Sequence, residues 1–193
     1  MTVLVSIHGS PREKANSSIL AEHIEIGARE AGAEVHSFTL QSMTIHHCSA
    51  CDACQKSKDA ACVVDDDMQA IYGVLRDADG LILASPIYWF AVSGQMKAFL
   101  DRCYALSGPE GSQLSGKRIA IALTYEDADP FRSGAVNALR SFQDMFAYVG
   151  APIVGAVYGT ASSAGEIASN AELLNDAQAL GWKLTQVAAS GQG

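Results

Sequence analysis

Val3-Leu4-Val5-Ser6-Ile7-His8-Gly9-Ser10-Pro11-Arg12-Glu13-Lys14-Ala15-Asn16-Ser17-Ser18 joins an apolar run, a turn and a helix start. Val3 to Ile7 reads as a strand buried on both faces. Asn16, Ser17 and Ser18 are good N-cap residues. A helical pattern follows through Ile19, Leu20, Ile24 and Ile26 and closes at Gly32. The turn is neither Gly-x-Gly-x-x-Gly nor Gly-x4-Gly-Lys-Ser/Thr, which disfavours a Rossmann dinucleotide site and an NTP-binding P-loop. It still gathers the hydroxyls of Ser10, Ser17 and Ser18, the Asn16 amide, the Arg12 guanidinium and the free N–H groups of a helix N-terminus. A terminal phosphate monoester needs those groups. The same residues also suit an ordinary capped helix start with an exposed arginine, and taken alone they leave both readings open.

Outward from this turn, apolar runs alternate with helical patterns. Glu34 to Leu40 reads as a second strand, and residues 41–64 as a cysteine-rich loop. Asp65-Asp66-Asp67 starts a helix with Met68, Ile71, Val74 and Leu75 on one face; acidic residues suit the positive end of its dipole. Gly80 to Ala84 is a third strand, broken by Ser85-Pro86, with a helix from Gln95 to Leu106. Ile119 to Leu123 and Pro152 to Val157 are the fourth and fifth strands. Helices from Ser133 to Val149 and from Glu166 to Ala188 complete the pattern. This rhythm predicts a parallel sheet with helices on both faces. Such sheets bind ligands beyond the carboxyl ends of their strands, so the loops at 8–17, 85–94 and 124–132 are the ones to inspect.

Cys48, Cys51, Cys54 and Cys62 are spaced C-x2-C-x2-C-x7-C. Compact runs of this kind hold iron–sulfur clusters, and the first three spacings suit 4Fe–4S. Structural zinc uses two separate C-x2-C knuckles, whereas here the knuckles share Cys51. Four reduced thiols without a metal are the other open reading, and the polar excursion Lys56 to Ala61 is longer than a tight cluster loop requires. His46 and His47 read as exposed loop residues, His8 as a satisfied residue at a strand end and Cys103 as a small core residue.

The 193 residues carry 21 acidic and 13 basic side chains, a net charge of −8, and 49% are hydrophobic. The basic residues are scattered, so nucleic acid is not an expected partner. No stretch approaches a membrane span of about 20 apolar residues. The start lacks a basic region and a cleavage site. A cytoplasmic protein of one domain, 1–193, is the expectation, and in that reducing compartment cysteines serve as metal ligands or redox groups rather than disulfides.

Gly9-Ser10-Pro11-Arg12 with Asn16-Ser17, Ser85-Pro86-Ile87-Tyr88, and Gln95-Met96-Lys97-Ala98-Phe99-Leu100-Asp101-Arg102 together resemble the NADPH-dependent FMN reductase family. The cysteine run leading into Val63 to Met68 resembles its iron–sulfur flavoprotein branch. The resemblance covers residues 3 to 125 and implies a flavodoxin-like, doubly wound five-stranded sheet of order 2-1-3-4-5. It implies FMN with Ser10, Arg12, Asn16, Ser17 and Ser18 around the phosphate, and Pro86, Ile87, Tyr88, Trp89 and Phe90 along the isoalloxazine. Family members often carry a Gly-rich third loop; here it reads Leu123 to Pro130, with Thr124, Tyr125 and Glu126 within reach of the flavin. On the residues alone, Tyr88-Trp89-Phe90 also suits core packing or a subunit interface.

The implied activity is an FMN-dependent oxidoreductase moving electrons from NAD(P)H to a quinone, a flavin or another small acceptor, with a 4Fe–4S cluster on Cys48, Cys51, Cys54 and Cys62 as a further carrier. Flavin chemistry needs no protein acid or base, so no catalytic side chain is assigned. The alternatives are an electron carrier exchanging with a ferredoxin-like partner, and a redox-sensing interaction module. The resemblance and the aromatic loop before the 95–106 helix point to a homodimer or homotetramer.

Overall fold

A computed structural model describes residues 1–56 and 61–186. Five parallel strands form the main sheet: β1 (Val3–His8), β2 (Glu34–Thr39), β3 (Gly80–Tyr88), β4 (Arg118–Tyr125) and β5 (Ile153–Thr160). Their order is β2-β1-β3-β4-β5, with every neighbouring pair parallel, as the flavodoxin-like expectation requires. The helices are α1 (Asn16–Glu30), α2 (Met68–Asp77), α3 (Gly94–Arg102), α4 (Ala135–Val149) and α5 (Ala171–Thr185).

Strand alternation divides the core between the two faces of the sheet. Val5, Ile7, Leu81, Leu83, Ile119, Ile121 and Leu123 pack with residues of α2, α3 and α4. Leu4, Ile82, Ala84, Ala120 and Ala122 pack with Leu20 and Ile24 of α1 and Leu180 and Leu184 of α5. The second face is lined with alanine, and its two helices also meet each other closely. A Cβ on Gly27 would stand 2.0 Å from the Gln178 carbonyl oxygen, and one on Gly181 2.0 Å from that of Ile24.

Several boundaries differ from the sequence expectation. β3 does not break at Ser85-Pro86 but runs on to Tyr88. The Gly9 N–H donates to the Ala84 carbonyl (2.8 Å), so alternate residues of β3 face β1, and that side opens once β1 ends. Pro86 lies on the open side, where its missing N–H leaves no ladder bond unmade. The 95–106 helix is α3 followed by a short 3-10 segment, Cys103–Leu106. Asn170 splits the last helical segment by capping α5 through the Leu173 N–H (3.1 Å), and the expected continuation to Ala188 lies outside the described residues. The N-cap of α1 is Ala15, without a side-chain bond, so Asn16 and Ser17 fall inside the first turn. The Asp65–Asp67 run precedes α2 rather than filling its first turn: Asp66 accepts from the Met68 N–H (3.1 Å), and Asp67 from the Thr44 N–H (2.6 Å). These carboxylates anchor the cysteine loop more than they serve the helix dipole.

His8 is a satisfied residue at the end of β1. Its Nε2 lies 2.8 Å from Glu25 Oε1 and 3.1 Å from Ser6 Oγ, and Glu25 also accepts from Arg29 (3.0 Å). Burial pushes the Glu25 carboxyl up, but hydrogen bonds from His8 and Ser6 and the His8 charge outweigh it and hold the group at about 2.

Two outcomes follow for stability. Gly27→Ala forces α1 and α5 apart and is expected to cost about 1–3 kcal/mol in denaturant unfolding, whereas an unchanged midpoint would contradict the close helix contact. Glu25 ionises more readily folded than unfolded, so its contribution, on the order of 3 kcal/mol, is present above pH 4.5 and lost as pH falls toward 2. Urea unfolding of Glu25→Gln across that range is expected to show a flatter pH profile than the parent, and parallel profiles would contradict the assignment.

Candidate functional site

A crevice of about 280 Å³ opens beyond the carboxyl ends of the strands, where the chain reverses direction of travel across the sheet between β1 and β3. The turn after β1 contributes Ser10, Arg12, Asn16 and Ser17. The end of β3 and its hairpin contribute Pro86, Ile87, Tyr88 and Trp89, and the end of β4 and the residue after it contribute Thr124, Tyr125 and Glu126. The predicted loops therefore converge on one cavity. Ser18 faces a neighbouring cavity with His8 and Glu25, and Phe90 lies outside the crevice wall.

Ser17 lies at the start of α1, almost wholly buried, and its Oγ has no hydrogen-bond partner among the described residues. A buried hydroxyl left in this condition costs free energy, and here it lines the crevice at a helix N-terminus. Ser10 Oγ accepts from the Arg12 N–H (3.2 Å) and shapes the turn. The Arg12 guanidinium lies over the Tyr88 ring, 5.8 Å from its centroid, within cation–π range. Asn16 is engaged elsewhere: its amide donates to the Ser163 carbonyl (2.8 Å) and accepts from the Ile167 N–H (3.1 Å). It fastens the loop after β5, which supplies Ala161, Ser162 and Ala164 to the crevice. Sequence reasoning missed this fourth wall, although its position after a strand was the available signal.

Tyr88 and Ala91 pair across a two-residue turn formed by Trp89 (φ 47°) and Phe90 (φ 67°). Such turns require positive φ at both central residues and favour Asn-Gly; two aromatic residues there hold strain of about 1 kcal/mol or more each. The α4 start braces the turn: Asn137 Nδ2 donates to the Phe90 carbonyl (3.3 Å), and Gly134 leaves room for the Phe90 backbone, only 2.6 Å from where a Cβ would be. Trp89 is thereby held 93% exposed at the crevice mouth.

Ser93, also missed, ties these parts together. Its Oγ donates to the Gly9 carbonyl (2.6 Å) and accepts from the Met96 N–H (3.1 Å), while its N–H donates to Ser85 Oγ (3.0 Å). A serine just ahead of the helical pattern was the signal for this cap.

The four cysteines of the run line a separate, small cavity of about 20 Å³ with Val63, Val64 and Tyr104. It shares no lining residue with the crevice. Ala50 and Asp52, on either side of Cys51, have φ values of 52° and 54°; alternating backbone hand of this kind turns N–H groups inward, as around many anions and Fe–S centres. The Ala53 N–H and the Ser49 side chain hold the Cys51 thiol below its usual range. Among the described residues, no group of three or more His, Cys, Asp or Glu is arranged to hold a metal ion, although the donor chemistry of four thiols in one run is that of a cluster site. Cys103 is buried, and burial pushes its thiol up to about 12, as for an inert core residue. Residues 57–60 of the polar excursion lie outside the described residues.

No helix among the described residues is long and apolar enough to cross a membrane. The family model for NADPH-dependent FMN reductase matches residues 1–166. An iron–sulfur flavoprotein of Archaeoglobus fulgidus is 40% identical over 122 residues, 63% of this chain and 61% of that protein. Another, from Methanocaldococcus jannaschii, is 34% identical over 140 residues, 72% of this chain and 68% of that protein. The chain thus spans somewhat under two thirds of the Archaeoglobus relative's length. Among solved structures, an NAD(P)H:quinone oxidoreductase from Methanothermobacter marburgensis superposes with a TM-score of 0.74 at 16% identity, covering 97% of this chain and 98% of that one. A flavodoxin from Bacillus cereus gives 0.60 at 18% identity, covering 95% and 97%. At such identities the likeness speaks for the fold alone. Family match, fold and crevice agree: the chain belongs to the NADPH-dependent FMN reductase family, with iron–sulfur flavoproteins among its relatives.

Proposed function

We propose that the protein is an FMN-dependent oxidoreductase that takes electrons from NAD(P)H and passes them to a quinone, a flavin or another small acceptor, with a 4Fe–4S cluster on Cys48, Cys51, Cys54 and Cys62. The observation that carries the flavin reading is the buried, unpartnered Ser17 Oγ beside Ser10 and Arg12 at a helix N-terminus. A phosphate supplies the missing partner. Asn16 supports this site from behind by fixing the loop after β5, rather than by touching the phosphate. Pro86, Ile87, Tyr88 and Trp89 offer an apolar wall for the isoalloxazine, with Thr124, Tyr125 and Glu126 beside it on the neighbouring strand end.

The chemistry that FMN would supply when bound is hydride acceptance and electron return, singly or in pairs. The chain's own residues bind, orient and cover it. Trp89, held out at the crevice mouth, gives an aromatic face against which a nicotinamide or a planar acceptor can stack. Ser18 and Phe90 have no direct part in this reading.

The cluster reading rests on the convergence of four thiols on one cavity and on the alternating backbone around Cys51. Because that cavity shares no wall with the flavin crevice, an electron-carrier role with a ferredoxin-like partner is the second reading. A reducing, cytoplasmic setting and a homo-oligomer complete the reading, with the exposed Trp89 and Phe90 just ahead of α3 as the surface that would meet a second copy.

Ser17→Ala is expected to weaken FMN binding about tenfold while leaving the flavin-free protein as stable as the parent or more so, since it deletes a buried unpaired hydroxyl. Arg12→Ala is expected to weaken FMN by a similar factor. Flavin fluorescence titration checks both, and parental affinities would move the phosphate elsewhere. Anaerobic NADH or NADPH is expected to bleach the bound flavin. Failure of both, with reduced ferredoxin succeeding, would replace the reductase by the carrier. Iron near zero beside stoichiometric FMN in anaerobically purified protein would leave only thiols in the loop.

A further inference from the structure

The cysteine loop departs after β2 and returns at α2, and its two ends are tied at one side chain. Arg102, at the C-terminal end of α3, is 1% exposed. Its Nη1 donates to the His46 carbonyl (2.9 Å) and to Asp66 Oδ2 (2.6 Å), and its Nη2 donates to Asp66 Oδ1 (3.1 Å). His46 precedes the first cysteine of the run, and Asp66 follows the last. Asp66 accepts in addition from the His46 N–H (2.9 Å) and the Met68 N–H (3.1 Å). The buried Tyr72 hydroxyl donates to the Arg102 carbonyl (2.7 Å), and Gln69 Nε2 donates to the carbonyls of Cys62 (3.1 Å) and Val64 (2.7 Å). A planar fork with several fixed donors can bridge a carboxylate and a carbonyl in this way, whereas an ammonium cannot reproduce it.

Arg102 Nε is buried and has no partner among the described residues. Arg102 Nη2 also donates to the Val64 carbonyl (3.5 Å), and Val64 lines the small cavity together with Cys62, so the unmet donor stands beside the Cys62 side of that cavity. A cluster ligated by four thiolates is anionic. Hydrogen bonds to its sulfurs and a nearby cation favour its more negative, reduced form and raise its potential.

We propose that Arg102 is a positioning residue for the iron–sulfur cluster: it closes the neck of the cysteine loop so that the four thiols are presented together, and its Nε–H is the donor reserved for the sulfur shell on the Cys62 side. The inference rests on the cluster reading above. With the neck closed by packing within the fold, cluster binding does not also have to order both ends of the loop. Without the latch, that ordering cost falls on the cluster.

The test compares the parent, Arg102→Lys, and the double variant Arg102→Met with Asp66→Leu, each reconstituted anaerobically with iron and sulfide. The apolar pair avoids a buried unpaired charge, which is the main hazard of a single deletion. Iron per chain, the rate of iron loss to a chelator and the midpoint potential by redox titration are read, with FMN content and thermal unfolding as fold controls. The double variant is expected to keep FMN and to lose iron about tenfold faster, any remaining cluster titrating at a lower potential. Arg102→Lys, which keeps charge but loses the fork, is expected to fall between the two. If the double variant does not fold, the lysine variant decides on the same readouts. Parental iron retention and potential in the variants would overturn the proposal. A parent that takes up no iron would overturn the cluster reading itself, a failure visible without any variant.

Discussion

Ser93 and Gly9 make the contact on which the crevice depends. Ser93 is fully buried, and through one hydroxyl and one N–H it joins the turn after β1, the side chain of Ser85 on β3 and the first turn of α3. Gly9 has to be glycine for this to close: a Cβ there would lie 2.9 Å from Met96 Cβ and 3.1 Å from both the Ala84 carbonyl oxygen and Ser93 Oγ. Each bond is modest on its own, on the order of 1 kcal/mol net. Together they fix the origin of the β1–α1 turn relative to the end of β3. The Ser10–Ser17 surface and the Pro86–Trp89 wall thus face each other across one gap.

That constraint also explains where strain is tolerated. The Trp89-Phe90 turn closes the two residue pairs Ile87–Val92 and Tyr88–Ala91, and Ser93 follows at once. A turn anchored at one end by Ser93 and braced at the other by Gly134 and Asn137 can hold unfavourable backbone angles. The same economy governs the cysteine loop. Its described residues hold little regular structure, but its neck is fastened to α3 and α2 by the Arg102–Asp66 pair. In that pair, burial opposes the Asp66 charge, and the hydrogen bond from Arg102 keeps the carboxyl below its usual range.

Much of the fold was legible in the sequence because it rests on local pattern. Five apolar runs spaced by helical periods predict the parallel sheet, and Gly9-Ser10-Pro11-Arg12 marks the turn that lines the crevice. What escaped depends on contacts between distant residues. Asn16 looks like a cap or a phosphate ligand, but it spends both ends of its amide on the segment around Ser163 and Ile167. The Asp65–Asp67 run looks like a helix start, but Asp66 is claimed by Arg102 from another helix. Pro86 looks like a strand breaker, and is harmless only because β1 has already ended beside it. In each case the local signal was read correctly for its type, and a tertiary partner decided its use.

The central claim is that the crevice is organised around a phosphate, with the flavin ring held by the aromatic wall. The most direct test is to titrate the flavin-free protein with FMN and with riboflavin, which has the same ring and no phosphate. Two charge-assisted hydrogen bonds from this turn make FMN the tighter ligand by about a hundredfold or more. Equal affinities for the two flavins would contradict the account.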